Sequence, residues 1–337
     1  MTVDIEDIDS LRNYLVDLKQ ISPGEDCTLQ ILKGGVSNKT VWVTRPGGEQ
    51  WVIKQALSKL RVKEDWYCVQ DRIEVEYEGL KWLSEILPEG SVPEPVFFDK
   101  KDYVLCMSAV PRPHENLKSL LLHGLVEYRV FEKLGIMLGR IHMSGKEDLR
   151  AQSIFDNRRF FEDLRIEPFY EFTAQQLPES RSFYDRLMDE TLNIRTTIVH
   201  GDYSPKNILV KDEKVILLDY EVMHRGDPAF DIGFFLCQVL SFANHLQGCR
   251  EKLINAAAVF WENYVETISG ADILSEQLAV KHTLGCLLAR VKGRSPVDFL
   301  NREEQHRQVT ISLYGMKQAV TRVPDLLQEF NRQYIVY

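Results

Sequence analysis

Five apolar residues near the start of the chain, Ile5, Ile8, Leu11, Leu15 and Leu18, recur at three- and four-residue intervals. They predict an amphipathic helix that stops before Ser22-Pro23-Gly24-Glu25. The period then changes. Alternating and β-branched runs at 27–35, 40–45 and 50–56 predict three strands, the last two joined by a tight turn at Pro46-Gly47-Gly48. Helical spacing returns over 69–87, with Ile73, Leu80, Leu83 and Leu87 as the apolar stripe. The proline-bearing stretch 88–99 reads as a break and 103–110 as a last strand. Pro111 and Pro113 then predict a boundary between an amino-terminal lobe, 1–110, and a carboxy-terminal lobe, 111–337.

Past that boundary the pattern is mainly helical. Leu134, Met137, Leu138 and Ile141 share one face, and long amphipathic stretches occupy 250–268, 271–290 and 302–320. The exception is 207–218, where Asn-Ile-Leu-Val and Val-Ile-Leu-Leu flank Lys-Asp-Glu-Lys. This predicts a hairpin centred between Asp212 and Glu213, with residue 207 opposite residue 218. The expected fold class is therefore α+β, a small antiparallel sheet lobe followed by a larger helical lobe, with a cleft between them.

Composition narrows the reading. The chain has 337 residues, 44% of them hydrophobic and 27% charged, as in a globular protein large enough for two lobes. A net charge of -9 argues against a nucleic-acid partner, which demands clustered Lys and Arg. The six cysteines form no Cys-x-x-Cys pair and read as reduced thiols rather than a zinc site. The acidic amino terminus lacks the blocks of a signal peptide, and the longest apolar tract, 232–246, is interrupted by polar residues. A cytoplasmic protein with no membrane partner is expected.

The hairpin register carries the chemistry. It brings Asn207 and Asp219 to one open end on adjoining strands, about 5 Å apart, with Asp202 on the loop leading in. Two carboxylates and an amide converging there call for a cation, and Mg2+ with phosphate oxygens fits. Glu76 falls within the stripe of its helix, so burial demands a cationic partner, and Lys54 is the obvious candidate. Gly34 and Gly35 lie between two strands where backbone amides can approach phosphates. A base, two metal ligands and a Lys held by a Glu are the parts of phosphoryl transfer. Fewer residues separate Asp219 from Asp231 than a peptide-docking activation segment needs, so a small acceptor is favoured over a protein.

The runs His-Gly-Asp-Tyr-Ser-Pro-Lys-Asn (200–207) and Leu-Leu-Asp-Tyr-Glu (217–221), with Gly-Asp-Pro-Ala-Phe-Asp-Ile-Gly (226–233), resemble the aminoglycoside phosphotransferase and choline kinase superfamily. Within it, 52–80 is most similar to the amino lobe of methylthioribose kinases, including Arg61, Trp66 and Glu76. The resemblance implies a protein-kinase-like fold, ATP and Mg2+ as cofactors, and a small molecule with a hydroxyl as acceptor. By it, Lys54 would hold nucleotide phosphates, Glu76 orient Lys54, and Asp202 act as catalytic base. Asn207, Asp219 and Glu221 would be metal ligands. Gly34, Gly35, Ser37 and Asn38 would contact the nucleotide, and Met107, Ser108, Ala109 and Val110 would form the adenine hinge. Asp231 would accept backbone N–H bonds from the catalytic loop, with His200 in a packing role. Arg290 matches one member of the family's sugar-gripping Arg pair, its neighbour being Ala289. It joins Arg165, Tyr170 and Asp231 as candidate substrate contacts. His142 reads as a satisfied core histidine. The expected function is an ATP-dependent kinase for a sugar such as a methylthioribose-like compound. An aminoglycoside or amino-alcohol kinase, a non-catalytic nucleotide-binding protein and homodimerisation are left open.

Overall fold

The computed structural model describes residues 3–33, 35–62 and 65–336, with side chains through Arg332. A helix, α1 (Ile8–Asp17), is started by Asp7, whose side chain accepts from the N–H groups of Asp9 and Ser10. Five antiparallel strands follow in the order β1-β2-β3-β5-β4, where β1 is Thr28–Ile31, β2 Asn38–Thr44, β3 Gln50–Ala56, β4 Pro95–Asp99 and β5 Val104–Ser108. The strand period sorts the two faces. Val41, Ile53, Val104 and Cys106 pack under α1 with Leu11 and Leu15. Ala56, Leu105 and Met107 join the core that contains α2 (Arg72–Ile86). Lys54 is next to Ile53 in β3, so it points away from α1 and toward α2.

The stretch 88–99 is not only a break. Pro95–Asp99 forms β4, an edge strand paired with β5 and irregular between Pro95 and Phe97. A proline at the first residue of an edge strand removes an N–H that the ladder does not need. Helix α2 starts three residues later than the stripe suggested, and it buries Arg72, Ile73, Glu76, Leu80 and Leu83.

The second set of elements begins at Glu115–Asn116, which pairs with the hairpin Ile208–Lys211 and Lys214–Leu217. Ile208 faces Leu217 and the Leu218 N–H donates to the Asn207 carbonyl at 2.9 Å, so the hairpin has the register read from its sequence. A short pair, Thr197–Val199 with His224–Gly226, flanks it, and a π-helical segment, Glu162–Glu171, precedes it. Neither had a sequence signal, since three-residue strands and widened helical turns leave no clear period.

The apolar tract becomes the helix Pro228–His245, in which every residue from Pro228 to Asn244 is buried. It packs against the helices Arg250–Thr267 and Glu276–Lys292. A helix with apolar residues on every face belongs in a core. Among the described residues no single helix is long and apolar enough to cross a membrane. The third amphipathic stretch is the helix Arg302–Lys317, opened by a reciprocal capping box between Asn301 and Glu304. Gly233 permits a close helix–helix approach. A Cβ there would overlap the Cβ of His282 and crowd the Thr283 nitrogen at 2.7 Å. Gly233→Ala should therefore lower stability by about 1–3 kcal/mol, the range for overpacking a core. An unchanged urea midpoint would contradict this packing.

Candidate functional site

Burial of one ammonium group organises the cleft. The Lys54 Nζ lies 2.5 Å from Glu76 Oε1 and 3.0 Å from Asp219 Oδ1. Burial alone would pull the Lys54 pKa down, but the charges of Asp219 and Glu76 outweigh it and carry it above its ordinary value. Asp219 is opposed by burial too, yet Lys54 and Lys206 hold its carboxyl well below the usual range. Glu76 is the strained member. Burial pushes its carboxyl up to about 7, with Lys54 opposing and Asp219 and Glu221 adding to the rise. Its Oε2 is buried without a hydrogen-bond partner. Glu221 is held differently, since its Oε2 accepts from Arg72 Nε and Asn38 Nδ2, each at 3.1 Å.

The loop carrying Asp202 is braced from below. Asp231, fully buried, accepts the backbone N–H groups of His200 at 2.7 Å and Gly201 at 2.8 Å, with His142 Nε2 at 3.2 Å. Gly201 has φ +74, a region other residues rarely adopt, and a Cβ there would press on the Val222 carbonyl. Asp202 is only 3% exposed. Its carboxylate meets Arg165 Nη2 and Lys206 Nζ, each at 2.9 Å, and accepts from Asn207 Nδ2 at 2.8 Å. Burial raises its pKa, but Arg165 and Lys206 bring it below the ordinary value, so the group is an anion at neutral pH. His200 accepts the Asp202 N–H on Nδ1, and burial keeps its ring neutral.

These groups open on one cavity of about 510 Å³. Of the residues singled out from sequence, Gly35, Ser37, Asn38, Lys54, Asp202, Asn207, Asp219, Glu221, Arg165 and Arg290 line it. Glu76 stands behind Lys54, and Gly34 lies outside the described residues. Three expectations are corrected. Tyr170 is fully buried, its hydroxyl on His282 Nδ1 at 2.7 Å, and does not reach the cavity. Asp231 accepts the loop's N–H groups as expected, and, fully buried, it is no substrate contact. Residues 107–110 are not part of the cavity wall, and the N–H groups of Ser108 and Ala109 already donate to Glu94 and Gln50.

Arg72, Phe234, Gln238 and Phe242 have no part assigned from sequence. Arg72 precedes Glu76 by one helical turn, so a pair of charges on a buried face was the available signal. Phe234, Gln238 and Phe242 line the cavity from one face of Pro228–His245, but apolar residues on every face of that tract hid any stripe. Arg165 was read as a substrate contact, whereas its guanidinium is committed to Asp202, the Gly201 carbonyl and the Leu164 carbonyl.

Asp219 and the Asn207 amide offer the hard oxygen donors that a divalent cation takes. Oxygens of Glu76, Asp219 and Glu221 all lie within 4.8 Å of one another. With its Nδ2 turned to Asp202, Asn207 has its amide oxygen left as an oxygen ligand in the cavity that Asp219 also lines. One oxygen of Glu221 is already engaged by Arg72.

The pH dependence of folding follows from a neighbouring group. His224 donates from Nδ1 to the Val222 carbonyl and stacks on Phe161 at 4.2 Å, and burial lowers its pKa to about 4. The unfolded chain, with histidine near 6.5, binds the extra proton between those values. Stability should therefore rise from pH 4 to 6.5 and be lost on acidification, by about 3 kcal/mol from this group. Urea melts across that window should show the slope, and His224→Gln should flatten it.

Comparison with known proteins places this geometry. The model of the phosphotransferase enzyme family (APH) matches residues 28–269. A methylthioribose kinase from Bacillus velezensis is 25% identical over 247 residues, 65% of this chain and 62% of that protein. A 4-hydroxytryptamine kinase from Psilocybe cyanescens is 25% identical over 277 residues, 70% of this chain and 73% of that protein. In fold the chain is similar to an amicoumacin kinase in complex with AMP-PNP, Ca2+ and Ami, at TM-score 0.61 and 13% identity, with 96% of this chain and 99% of that one covered.

Proposed function

The chain belongs to the phosphotransferase enzyme family, and from that premise we propose that it is an ATP-dependent kinase that transfers the γ-phosphoryl group to a hydroxyl of a small molecule. The observation that carries this reading is the joint placement, in one cavity, of an ionised Asp202 and a Lys54 held by Glu76 and Asp219. Binding without turnover has no use for a carboxylate held anionic by two cations. Its partners Arg165 and Lys206 keep Asp202 oriented, so that it can accept the proton of an acceptor hydroxyl as the oxygen attacks. Lys54 offers its ammonium to phosphate oxygens, and Asn207 and Asp219 would hold Mg2+, which when bound neutralises phosphate charge. Preorganisation of this kind supplies most of the rate in phosphoryl transfer.

The acceptor reading follows the walls beyond Asp202. Phe169, Phe234, Phe242 and Phe299 form apolar surface there, with Arg165 and Arg290. Both guanidiniums lie 5.8 Å from the Phe169 ring centre. Asp298, a carboxylate of that wall, is paired with Lys118 at 2.8 Å. Arg165 is already paired with Asp202, so Arg290 supplies the positive charge of this wall, and an uncharged sugar-like compound with an apolar substituent is favoured over a polycation, in keeping with the methylthioribose kinase relatives. The 4-hydroxytryptamine kinase relatives supply the second reading, an aromatic hydroxyl compound against the same phenylalanines.

A panel of thio-sugars, hydroxyindoles, amino alcohols and aminoglycosides, assayed for ADP release with Mg-ATP, tests the assignment. Turnover confined to cationic acceptors would overturn the reading of the walls. With an accepted substrate, Asp202→Asn should keep ATP binding and lower kcat by about 10²-fold or more, the contribution of a positioned base. Near-normal kcat would remove Asp202 from that role.

Arg290 is tied by Nη1 to the Ser295 carbonyl at 2.5 Å, while its buried Nε has no hydrogen-bond partner. Arg290→Ala should raise the acceptor KM and leave the KM for ATP nearly unchanged. A lowered melting temperature with unaltered acceptor KM would give the residue a structural role alone.

A further inference from the structure

Arg72 is fully buried at the start of α2, and each of its five N–H donors is used. Nε donates to Glu221 Oε2 at 3.1 Å. Nη1 donates to the carbonyls of Cys68 at 3.2 Å and Val69 at 2.9 Å. Nη2 donates to the carbonyls of Ser37 at 2.5 Å and Leu57 at 2.8 Å. One guanidinium thus ties four separate stretches: the loop leading into β2, the end of β3, the approach to α2, and the segment after Asp219. A buried cation is tolerated only when its charge and all its donors are matched, and a lysine cannot reproduce the planar fork.

Two of these partners belong to the nucleotide side of the cavity. Ser37 and Glu221 both line it. Asn38, the next residue and the first of β2, donates from Nδ2 to the same Glu221 oxygen at 3.1 Å, and its own Oδ1 is buried without a partner. Loop and carboxylate are therefore fixed to each other twice, once through Arg72 and once through Asn38. The charge of Glu221 is balanced by the guanidinium before any cation arrives.

Resting on the kinase reading above, we propose that Arg72 is a positioning residue that sets the phosphate-side loop, and that Glu221 serves as its anchor rather than as a metal ligand. Glu221 acts through Arg72 and Asn38 on the backbone at 37–38. Asp219 and Asn207 are left as the metal-binding pair.

AMP-PNP binding measured by calorimetry with and without Mg2+, together with hydrogen exchange of 35–41 in the nucleotide-free protein, tests this. Arg72→Lys and Glu221→Gln should each weaken AMP-PNP about tenfold, equally with and without Mg2+, and speed exchange in that loop. The double variant should be little worse than the weaker single one, since the two residues form one unit. Asp219→Asn should instead abolish the gain in affinity from Mg2+ and leave the loop's exchange unchanged. Loss of the Mg2+ gain in Glu221→Gln would overturn the proposal, making Glu221 a metal ligand. A lowered melting temperature in Arg72→Lys with unaltered AMP-PNP affinity and loop exchange would also overturn it. Should Arg72→Lys fail to fold, Glu221→Gln, which keeps the side-chain shape, carries the same comparison. Failure of the wild-type protein to bind AMP-PNP would count against the kinase reading, while loop exchange would still decide the role of Arg72.

Discussion

The largely buried ammonium of Lys54 is the constraint on which the cleft depends. An isolated charge in that position costs several kcal/mol, and removing one partner of such a cluster leaves the other uncompensated. Lys54 comes from the sheet, Glu76 from α2 and Asp219 from the end of the hairpin, so the charge is matched only when the three elements meet. The sheet lobe is thereby held to the hairpin by electrostatics rather than by apolar area alone. The same cluster leaves Glu76 with a raised pKa and an unpartnered oxygen, a local cost carried where chemistry is done.

A second rule runs through the site: apart from Asp219, which shares Lys54 with Glu76, each carboxylate lining the cavity has a cation of its own. Arg165 and Lys206 attend Asp202, Arg72 attends Glu221, and Lys118 attends Asp298. All but the local Asp202–Lys206 pair join distant parts of the chain, so they fix orientation as well as charge. Asp231 shows the complementary device. It spends its charge on the N–H groups of His200 and Gly201, and the loop that bears Asp202 takes its shape from that carboxylate. The brace stands at the start of the buried helix Pro228–His245, which also presents Phe234 and Phe242 to the cavity, so one rigid element shapes the loop and floors the acceptor side.

Local pattern was enough wherever a residue's neighbours in the chain decide its environment. The alternation in β2 and β3, the stripe on α2 and the hairpin register all follow from side-chain period, and the register alone put Asn207 beside Asp219. Glu76 within an apolar stripe told of a buried acid in need of Lys54. Residues whose partners are remote were out of reach. Arg72 is explained by carbonyls at 37 and 57 and a carboxylate at 221, and no spacing along the chain reports that convergence. Tyr170 and Arg165 sit in one short segment, yet the π-helical turn buries the tyrosine against His282 and sends the arginine to Asp202. Sequence by itself determined the elements and their periods, the hairpin register and the residue types of phosphoryl transfer, because these depend on short-range sterics and on which faces are apolar. Only the tertiary structure decided which cation meets which carboxylate and which side chains face the cavity, because a buried charge is satisfied by groups brought together in space from distant parts of the chain.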